Sequence, residues 1–216
     1  MREPFVIAVD GPAASGKGTI ASRLAAAYDV PMLDSGLLYR AVGVLLLHRG
    51  GDLDDVAAAT QVARDLTAEM LTDPAFRTRE AGEAASRVAV HTPVREALRE
   101  MQQAFARRPG GAVIDGRDIG TVIAPEAPAK LYVTASPQIR AERRFKQLVA
   151  QGEPVTYEDI LADILKRDAR DGGRADSPMR QADDAVLLDT SEMTIEQATD
   201  AARRIVEAAR ARWERS

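Results

Sequence analysis

The glycine-rich segment from Gly11 to Thr19 carries the clearest chemistry in this 216-residue chain. Gly11, Gly16 and Lys17 stand at the spacing Gly-x4-Gly-Lys. Glycines let backbone N–H groups turn inward around an anion, and a lysine adds a mobile positive charge for phosphate. The chain has only four lysines, so a lysine here is not background. The segment predicts a phosphate-binding loop; the alternative is a glycine-rich turn that caps an ordinary helix.

The residues on both sides of this segment favour the phosphate-binding interpretation. An apolar run at 5–9 predicts a buried strand, and residues 19–28 have apolar side chains at helical spacing. Strand, glycine-rich loop and helix, in this order, are what a phosphate-binding loop requires. The helix start adds free N–H groups and the positive end of its dipole.

The hydroxyl that usually follows the lysine of such a loop is shifted by one position. Gly18 follows the lysine directly, and Thr19 comes next. This Gly-Lys-Gly-Thr order resembles the loop of the nucleoside monophosphate kinases. The shift disfavours direct ligation of Mg²⁺ by the hydroxyl. Because Mg²⁺ dehydrates reluctantly, we expect it to be held mainly through ATP phosphates and water, with no protein metal ligand.

Composition limits the classes to which the chain can belong. It is 45% hydrophobic and 29% charged, as in ordinary globular domains, and it has no cysteine for disulfides or thiolate metal sites. No apolar run reaches membrane-spanning length, and no signal peptide precedes the first strand. Because the net charge is −4, attraction to nucleic acid is not expected. We expect a cytoplasmic monomer that binds neither nucleic acid nor membranes.

Four further apolar runs predict strands, at 30–34, 112–115, 130–135 and 185–190, and helical patterns fill the intervals. Strands that alternate with helices predict an α/β fold with a five-stranded parallel sheet, here a three-layer P-loop domain. The stretch 50–111 is too long for a simple connection and is predicted to be an inserted helical subdomain, with residues 52–71 as its first helix.

The stretch 137–174 predicts two helices joined by a loop. The first helix carries Arg140, Arg143, Arg144 and Lys146, for which we expect too few acidic partners nearby. A helix, a loop and an arginine-rich helix resemble a lid that closes over phosphates. The alternative is a helical hairpin with salt bridges on its wet face. The remaining segments form the predicted core of one domain: 1–49, 112–136 and 175–216.

Three predicted strands end in a carboxylate: Asp10, Asp34 and Asp115. Ligands of open parallel sheets sit beyond the carboxyl ends of the strands, so these groups should meet at one edge. Each can hold Mg²⁺ through water or orient a basic group; the alternative is a carboxylate that accepts backbone N–H bonds at a turn. Ser35 and Arg40 together favour a second anion site there, although Ser35 alone would pass as a helix cap and Arg40 as a surface residue.

Five motifs together resemble the bacterial cytidylate kinase family, and they extend over nearly the whole chain. They are Asp10-Gly11-Pro12…Gly16-Lys17-Gly18-Thr19, Leu33-Asp34-Ser35-Gly36…Tyr39-Arg40, Val94-Arg95-Glu96-Ala97-Leu98, Asp115-Gly116-Arg117-Asp118-Ile119-Gly120-Thr121 and Arg167-Asp168…Arg170-Asp171…Arg174. The fourth motif is far more specific than the phosphate loop. The resemblance implies transfer of the γ-phosphate of ATP to CMP or dCMP, giving the diphosphate, in pyrimidine nucleotide metabolism.

The resemblance also implies residues for ATP and for the transfer step. The ATP phosphates would be cradled by Gly11, Pro12, Ala13, Ala14, Ser15, Gly16, Lys17, Gly18 and Thr19. Catalysis would be carried by Lys17, Arg117, Arg143 and Arg174. Arg143 would be foremost among the lid arginines that close on ATP, and Arg174 would reach the phosphates being exchanged.

A binding site for CMP follows from the same resemblance. The CMP phosphate would be bound by Ser35, Arg40 and Arg117. The cytosine would be recognised by Ser86, Arg95 and Asp118. The ribose would be held by Arg167 and Asp171. Taken alone, Ser86 and Arg95 would pass as surface residues.

One departure from the family concerns the nucleotide-binding insert. Family members commonly carry a short β-rich piece there. Residues 66–79 are too few, and too poor in alternating apolar side chains, to build it. We therefore expect a trimmed, helical insert.

Two other functions stay open from the residues. One is an ATP-dependent kinase of another small acceptor, such as UMP, AMP, shikimate or dephospho-coenzyme A; the stretch 115–118 and the insert argue against it. The other is a nucleotide-dependent switch protein, which would need an ordered switch that senses the γ-phosphate and a partner surface; the sequence has no guanine-reading Asn-Lys-x-Asp segment. With two histidines and no cysteine, the chain offers no Ser-His-Asp or Cys-His set and too few ligands for zinc.

Overall fold

The structure, a computed structural model, describes residues 4–215 and contains one five-stranded parallel sheet. The strands are β1 (Val6–Asp10), β2 (Met32–Asp34), β3 (Ala112–Gly116), β4 (Ala129–Thr134) and β5 (Val186–Asp189). Their order in the sheet is β2-β3-β1-β4-β5, and every neighbouring pair is parallel. The predicted α/β fold with five parallel strands is confirmed.

Eight α-helices lie between or after the strands within residues 4–215. They are α1 (Lys17–Tyr28), α2 (Ser35–His48), α3 (Val56–Asp65), α4 (Arg79–Val88), α5 (Thr92–Ala106), α6 (Pro137–Ala150), α7 (Tyr157–Gly172) and α8 (Ile195–Arg215). None of these helices is both long enough and apolar enough to cross a membrane.

Helices cover both faces of the central strands, which explains why those strands read as continuous apolar runs. Alternate residues of β1 point to opposite faces. On one face, Val9 belongs to a cluster with Leu24 of α1 and Val206 of α8. On the other face, Ala8 packs in a cluster with Ala106 of α5 and with Ile119.

Residues 50–111 contain helices, short helical turns and loops but no strand, so the predicted helical, strand-free character of this stretch is confirmed. The predicted first helix, 52–71, is too long at both ends. Asp55 caps α3 by accepting the N–H of Ala58 at 3.0 Å, so the helix starts there. Leu66 adopts an extended conformation with its side chain buried in the insert core, and short turns follow at Ala68–Thr72 and Pro74–Arg77.

α6 and α7 pack against each other through a small apolar cluster that contains Leu148, Ile160 and Ile164. The N-terminus of α7 is capped by Thr156, whose hydroxyl accepts the N–H of Asp159 at 3.1 Å. This helical pair places the end of α7 beside the carboxyl edge of the sheet, where the candidate site lies.

Candidate functional site

The phosphate loop joins β1 to α1 through backbone conformations that favour glycine. Gly11 has a φ of 146°, and a Cβ there would lie 2.0 Å from the carbonyl oxygen of Val133, so no other residue fits. Ala14 and Gly16 also have positive φ values, of 59° and 90°. Left-handed residues in a tight loop direct successive N–H groups to one concave side, which suits an anion.

Lys17 is the first residue of α1 and faces Asp115 near the end of β3. Its Nζ atom lies 3.6 Å from Asp115 Oδ1, and both side chains are almost fully buried. Burial lowers the pKa of Lys17, and the charge of Asp115 opposes that shift. A Cβ on Gly18 would lie 3.2 Å from Asp115 Oδ2, so glycine brings α1 close to this carboxylate. That contact gives a structural reason for the shifted hydroxyl.

Asp115 has a free acceptor: its Oδ1 atom is buried and has no hydrogen-bond partner among residues 4–215. Burial raises the pKa of Asp115, and the charge of Lys17 opposes the rise. No group of three or more His, Asp or Glu side chains within residues 4–215 is arranged to hold a metal ion. A cation here would need ligands from a bound molecule or from water.

The other two strand-end carboxylates are fully engaged by the protein. Asp34 accepts the N–H of Leu37 at 3.2 Å and Arg40 Nη2 at 2.6 Å. Asp34, and not Ser35, therefore caps α2; Ser35 is the first helical residue and is buried. Asp10 accepts two backbone N–H bonds, as the alternative interpretation of these carboxylates foresaw.

Asp171, near the end of α7, holds an arginine cluster. It is 1% exposed and accepts hydrogen bonds from Arg117 Nε and Arg174 Nη2. Arg167 Nε lies 3.9 Å from the same carboxylate. Burial would raise the pKa of Asp171, but the three guanidinium groups outweigh it and hold the pKa below its ordinary range. These four predicted site residues thus form one unit.

The arginines of this cluster exceed what one carboxylate can neutralise. Burial, and next the charge of Arg117, lower the pKa of Arg167 to about 9. Arg40 also raises the positive potential at Arg167. Crowded, buried cations of this kind are stabilised by an added anion, and arginine binds phosphate through two parallel hydrogen bonds.

The three residues predicted to recognise a base are all buried, and two of them, Arg95 and Asp118, contact each other. Arg95 Nη2 donates to Asp118 Oδ2, and its guanidinium lies 5.5 Å from the ring centre of Tyr39. The Ser86 hydroxyl is buried and has no hydrogen-bond partner among residues 4–215. Asp176 also faces Arg95, with Oδ2 3.8 Å from Nε; no sequence motif had pointed to it.

An open cleft of about 1240 Å³ runs between the phosphate loop, the insert and the α6–α7 pair. Among the predicted residues, its lining includes Ala13, Ala14, Ser15, Gly16, Lys17, Gly18, Thr19, Arg40, Arg117, Arg143 and Arg167. Several others lie outside this lining: Gly11, Pro12, Ser35, Ser86, Arg95, Asp118, Asp171 and Arg174. The lining also includes Thr190, Met193 and Thr194 after β5, which sequence reasoning missed. Their position at a strand end was the available signal.

The expectation that the basic groups of α6 have too few acidic partners holds only in part, because Arg140 and Lys146 each pair with a carboxylate, whereas Arg143 and Arg144 bond to neutral groups. Arg140 is buried and donates to the carbonyl oxygens of Ala135 at 2.9 Å and Ala13 at 3.2 Å, and to Asp168. Lys146 pairs with Glu142 at 2.6 Å. The acidic partner of Arg140 comes from α7, which the sequence of α6 alone cannot show.

Arg143 borders the phosphate loop. Its Nη2 atom donates to the carbonyl oxygen of Thr190 at 2.6 Å, and its Nη1 atom lies 3.4 Å from that of Ser15. The side chain therefore connects the loop to the end of β5. Its closure onto ATP stays a prediction.

Comparison with known proteins identifies relatives over almost the whole chain. The family model described as "Cytidylate kinase" matches residues 7–208. A protein named "Cytidylate kinase" from Caulobacter sp. (strain K31) is 72% identical over 209 residues, which are 97% of each chain. Another of that name, from Xanthobacter autotrophicus, is 62% identical over 96% of this chain and 99% of its own.

A solved structure has a similar fold. The crystal structure of TT1252 from Thermus thermophilus aligns with a TM-score of 0.50, at 21% identity, over 96% of this chain and 98% of its own. At this identity the likeness concerns the fold alone.

Proposed function

The chain belongs to the cytidylate kinase family, and on that premise we propose that it transfers the γ-phosphate of ATP to CMP or dCMP, giving ADP and CDP or dCDP. The observation that carries the proposal is that one cleft joins a phosphate loop to a buried arginine cluster. Phosphoryl transfer needs two phosphate-binding sites in line and stabilisation of the charge between them. Both nucleotides would bind within one chain, so the reaction needs no partner subunit.

On the donor side, the loop from Gly11 to Thr19 would hold the ATP phosphates with its backbone N–H groups. Lys17 would bind the terminal phosphates, since its ammonium group lies inside the cleft lining. The Nζ atom lies 3.6 Å from Asp115 Oδ1, which is too long for a hydrogen bond, so the ammonium group is free to donate hydrogen bonds to a phosphate oxygen. Arg143, beside the loop, would add positive charge as the transfer proceeds.

On the acceptor side, Arg117 and Arg40 would bind the CMP phosphate together with Ser35. The Asp171 carboxylate fixes Arg117 and Arg174 before any substrate arrives. Donors fixed in advance stabilise a developing charge without reorganisation, which is the largest contribution in many enzymes. Arg174 would lie nearest the phosphate in transit, and Arg167 with Asp171 would hold the ribose.

The pair of Arg95 and Asp118 has the polarity that a cytosine edge requires. Cytosine presents an amino donor at N4 beside a ring nitrogen acceptor. A carboxylate accepts from the amino group and a guanidinium donates to the acceptor. Uracil would place a carbonyl oxygen against Asp118, leaving two acceptors face to face. The unpartnered hydroxyl of Ser86 can bond to either kind of group.

Mg²⁺ fits the carboxylate that the protein leaves unsatisfied. Asp115 Oδ1 is a buried oxygen with no hydrogen-bond partner among residues 4–215, beside the phosphate loop. Oxygen is the donor that Mg²⁺ prefers, and the ion usually keeps several waters. We propose that Asp115 holds it through water while ATP phosphates supply direct ligands. When bound, the ion neutralises charge on those phosphates.

We also propose that the chain works as a core with two appendages, an insert at 50–111 and a lid at 137–174. The apolar cluster of the lid is separate from that of the insert, which the insert shares with α2 of the core, and this supports movement of the lid as a unit. Lid closure would exclude water and so limit ATP hydrolysis.

Product analysis tests the proposal. The protein is incubated with ATP, Mg²⁺ and CMP, and the nucleotides are separated by anion exchange. We expect CDP and ADP in equal amounts. ADP formed without CDP would overturn the proposal.

A further inference from the structure

Asp10 is a buried carboxylate to which the resemblance assigns no role. It is the last residue of β1 and directly precedes Gly11 of the phosphate loop. Its side chain accepts the N–H of Ile119 at 2.8 Å through Oδ1 and the N–H of Gly120 at 2.7 Å through Oδ2. Its neighbour in the sheet register is Gly116 of β3. One residue thus meets the chain on both sides of Arg117 and Asp118.

The short acceptor loop, defined here as Arg117 and Asp118, is therefore fixed at both ends by Asp10. Sheet pairing fixes the residue before the loop, and the carboxylate fixes the two residues after it. The following turn, Ile119–Ile123, cannot move away freely because Ile119 is completely buried in the core. The contact is close: a Cβ on Gly120 would lie 3.3 Å from Asp10 Oδ2.

Burying a carboxylate at this position costs free energy. Burial raises the pKa of Asp10 to about 7, even though its two N–H bonds oppose the rise. The nearby carboxylates of Asp118 and Asp115 raise it further. A group that only filled space here would be apolar, because a buried charge is costly unless it is paired. An aspartate at this position supplies two carboxylate oxygens, each of which accepts one backbone N–H.

We propose that Asp10 is a positioning residue that sets the acceptor loop against the phosphate loop. Its backbone leads into the donor-phosphate loop, and its side chain holds the loop that carries Arg117 and Asp118. It would thereby fix the distance between donor and acceptor phosphates. This inference rests on the proposed function, since it assigns the acceptor loop to CMP.

The matched pair Asp10→Asn and Asp55→Asn tests the proposal. Asparagine keeps the shape of Asp10 but turns an N–H₂ toward one of the two backbone donors. We expect the KM for CMP to rise and kcat to fall, each by about tenfold, as for a lost hydrogen bond to a charged group. The KM for ATP should stay within about twofold. Asp55 is exposed and accepts the N–H of Ala58 at 3.0 Å at the start of α3, outside the cleft lining, so Asp55→Asn should change neither KM.

The split between the two KM values separates positioning from a merely structural role. A variant that is only less well folded has a smaller active fraction, which lowers kcat and leaves both KM values unchanged. Unchanged KM values for Asp10→Asn, or equal rises for ATP and CMP, would overturn the proposal. If wild-type protein does not phosphorylate CMP, the proposed function itself fails.

A second variant covers the case in which Asp10→Asn does not fold, as judged by circular dichroism. Gly120→Ala leaves the carboxylate in place but adds a Cβ 3.3 Å from Asp10 Oδ2 and 3.2 Å from Lys130 Cδ. It should raise the KM for CMP by a smaller factor, with the KM for ATP unchanged. A folded Gly120→Ala protein with wild-type kinetics would overturn the inference.

Discussion

The Nζ atom of Lys17 lies 3.6 Å from the Oδ1 atom of Asp115, where the phosphate loop meets the end of β3. This is an ion pair without a hydrogen bond at Oδ1, and both groups are buried. Each partner is therefore available to a ligand, the lysine to a phosphate and the carboxylate to hydrated Mg²⁺. The pair marks the donor side of the cleft, and the first prediction concerns it.

Lys17→Ala should lower kcat by about 10²- to 10³-fold, because it removes a positive charge that stabilises the transferred phosphate. The fold should persist, as judged by circular dichroism. Lys146→Ala is the matched control, since Lys146 is exposed and pairs with Glu142 on its own helix. Near-normal turnover of Lys17→Ala would contradict the proposal that this loop binds the phosphates of ATP.

Arg95→Ala should raise the KM for CMP more than the KM for ATP, because its guanidinium donates to Asp118 and Arg95 does not line the cleft beside the phosphate loop. Steady-state kinetics with each substrate varied in turn measures both constants. Arg99→Ala is the control: Arg99 lies one helical turn further on and pairs with Asp176 at 3.6 Å. Equal effects of Arg95→Ala on both constants would mean that the insert does not recognise the base.

Asp118→Asn should relax the choice between CMP and UMP. An amide can donate to the O4 of uracil, whereas a carboxylate cannot. We expect the ratio of kcat/KM for CMP over UMP to fall by about tenfold or more, as for one altered base contact. A ratio that stays at the wild-type value would place base recognition elsewhere.

Asp171→Asn should destabilise the protein by about 3–5 kcal/mol near neutral pH, because three largely buried arginines lose their shared counter-charge. Urea denaturation of both proteins measures the difference. The arginines hold the pKa of Asp171 below its ordinary range, so its stabilising contribution is complete above about pH 4 and is lost as the pH falls through the lowered pKa. The wild type and the variant should therefore converge in stability under acid. A constant difference down to about pH 2 would contradict the assigned ion pairs.

The elements that the sequence predicted correctly are those coded by local patterns. The loop around Lys17 lies between an apolar run and a helical pattern, and strands such as β3 are buried on both faces. Hydrophobic periodicity reports such features directly. The predicted first insert helix extends too far at its C-terminal end, because Leu66 adopts an extended conformation and packs into the insert core. This is a tertiary contact that helical spacing in the sequence does not report.

Most side-chain contacts between segments that are distant in the sequence could not be predicted from it. Arg140 finds Asp168 on another helix, 28 positions away. Asp10 bonds to N–H groups 109 and 110 positions away. Which of several carboxylates accepts from the backbone, and which faces a lysine, depends on how loops fold over the sheet edge. The sequence pattern predicts that these groups lie at one edge of the sheet, but it does not predict which of them form pairs.

The measurement that tests the central claim most directly is ADP release from ATP and Mg²⁺ with CMP, dCMP, UMP, AMP or no acceptor. The account predicts strong turnover with CMP and dCMP, weak turnover with UMP and AMP, and little without an acceptor. Preference for AMP or UMP would keep the kinase but contradict the base-recognising roles of Ser86, Arg95 and Asp118. Slow turnover that no acceptor changes would contradict the kinase itself.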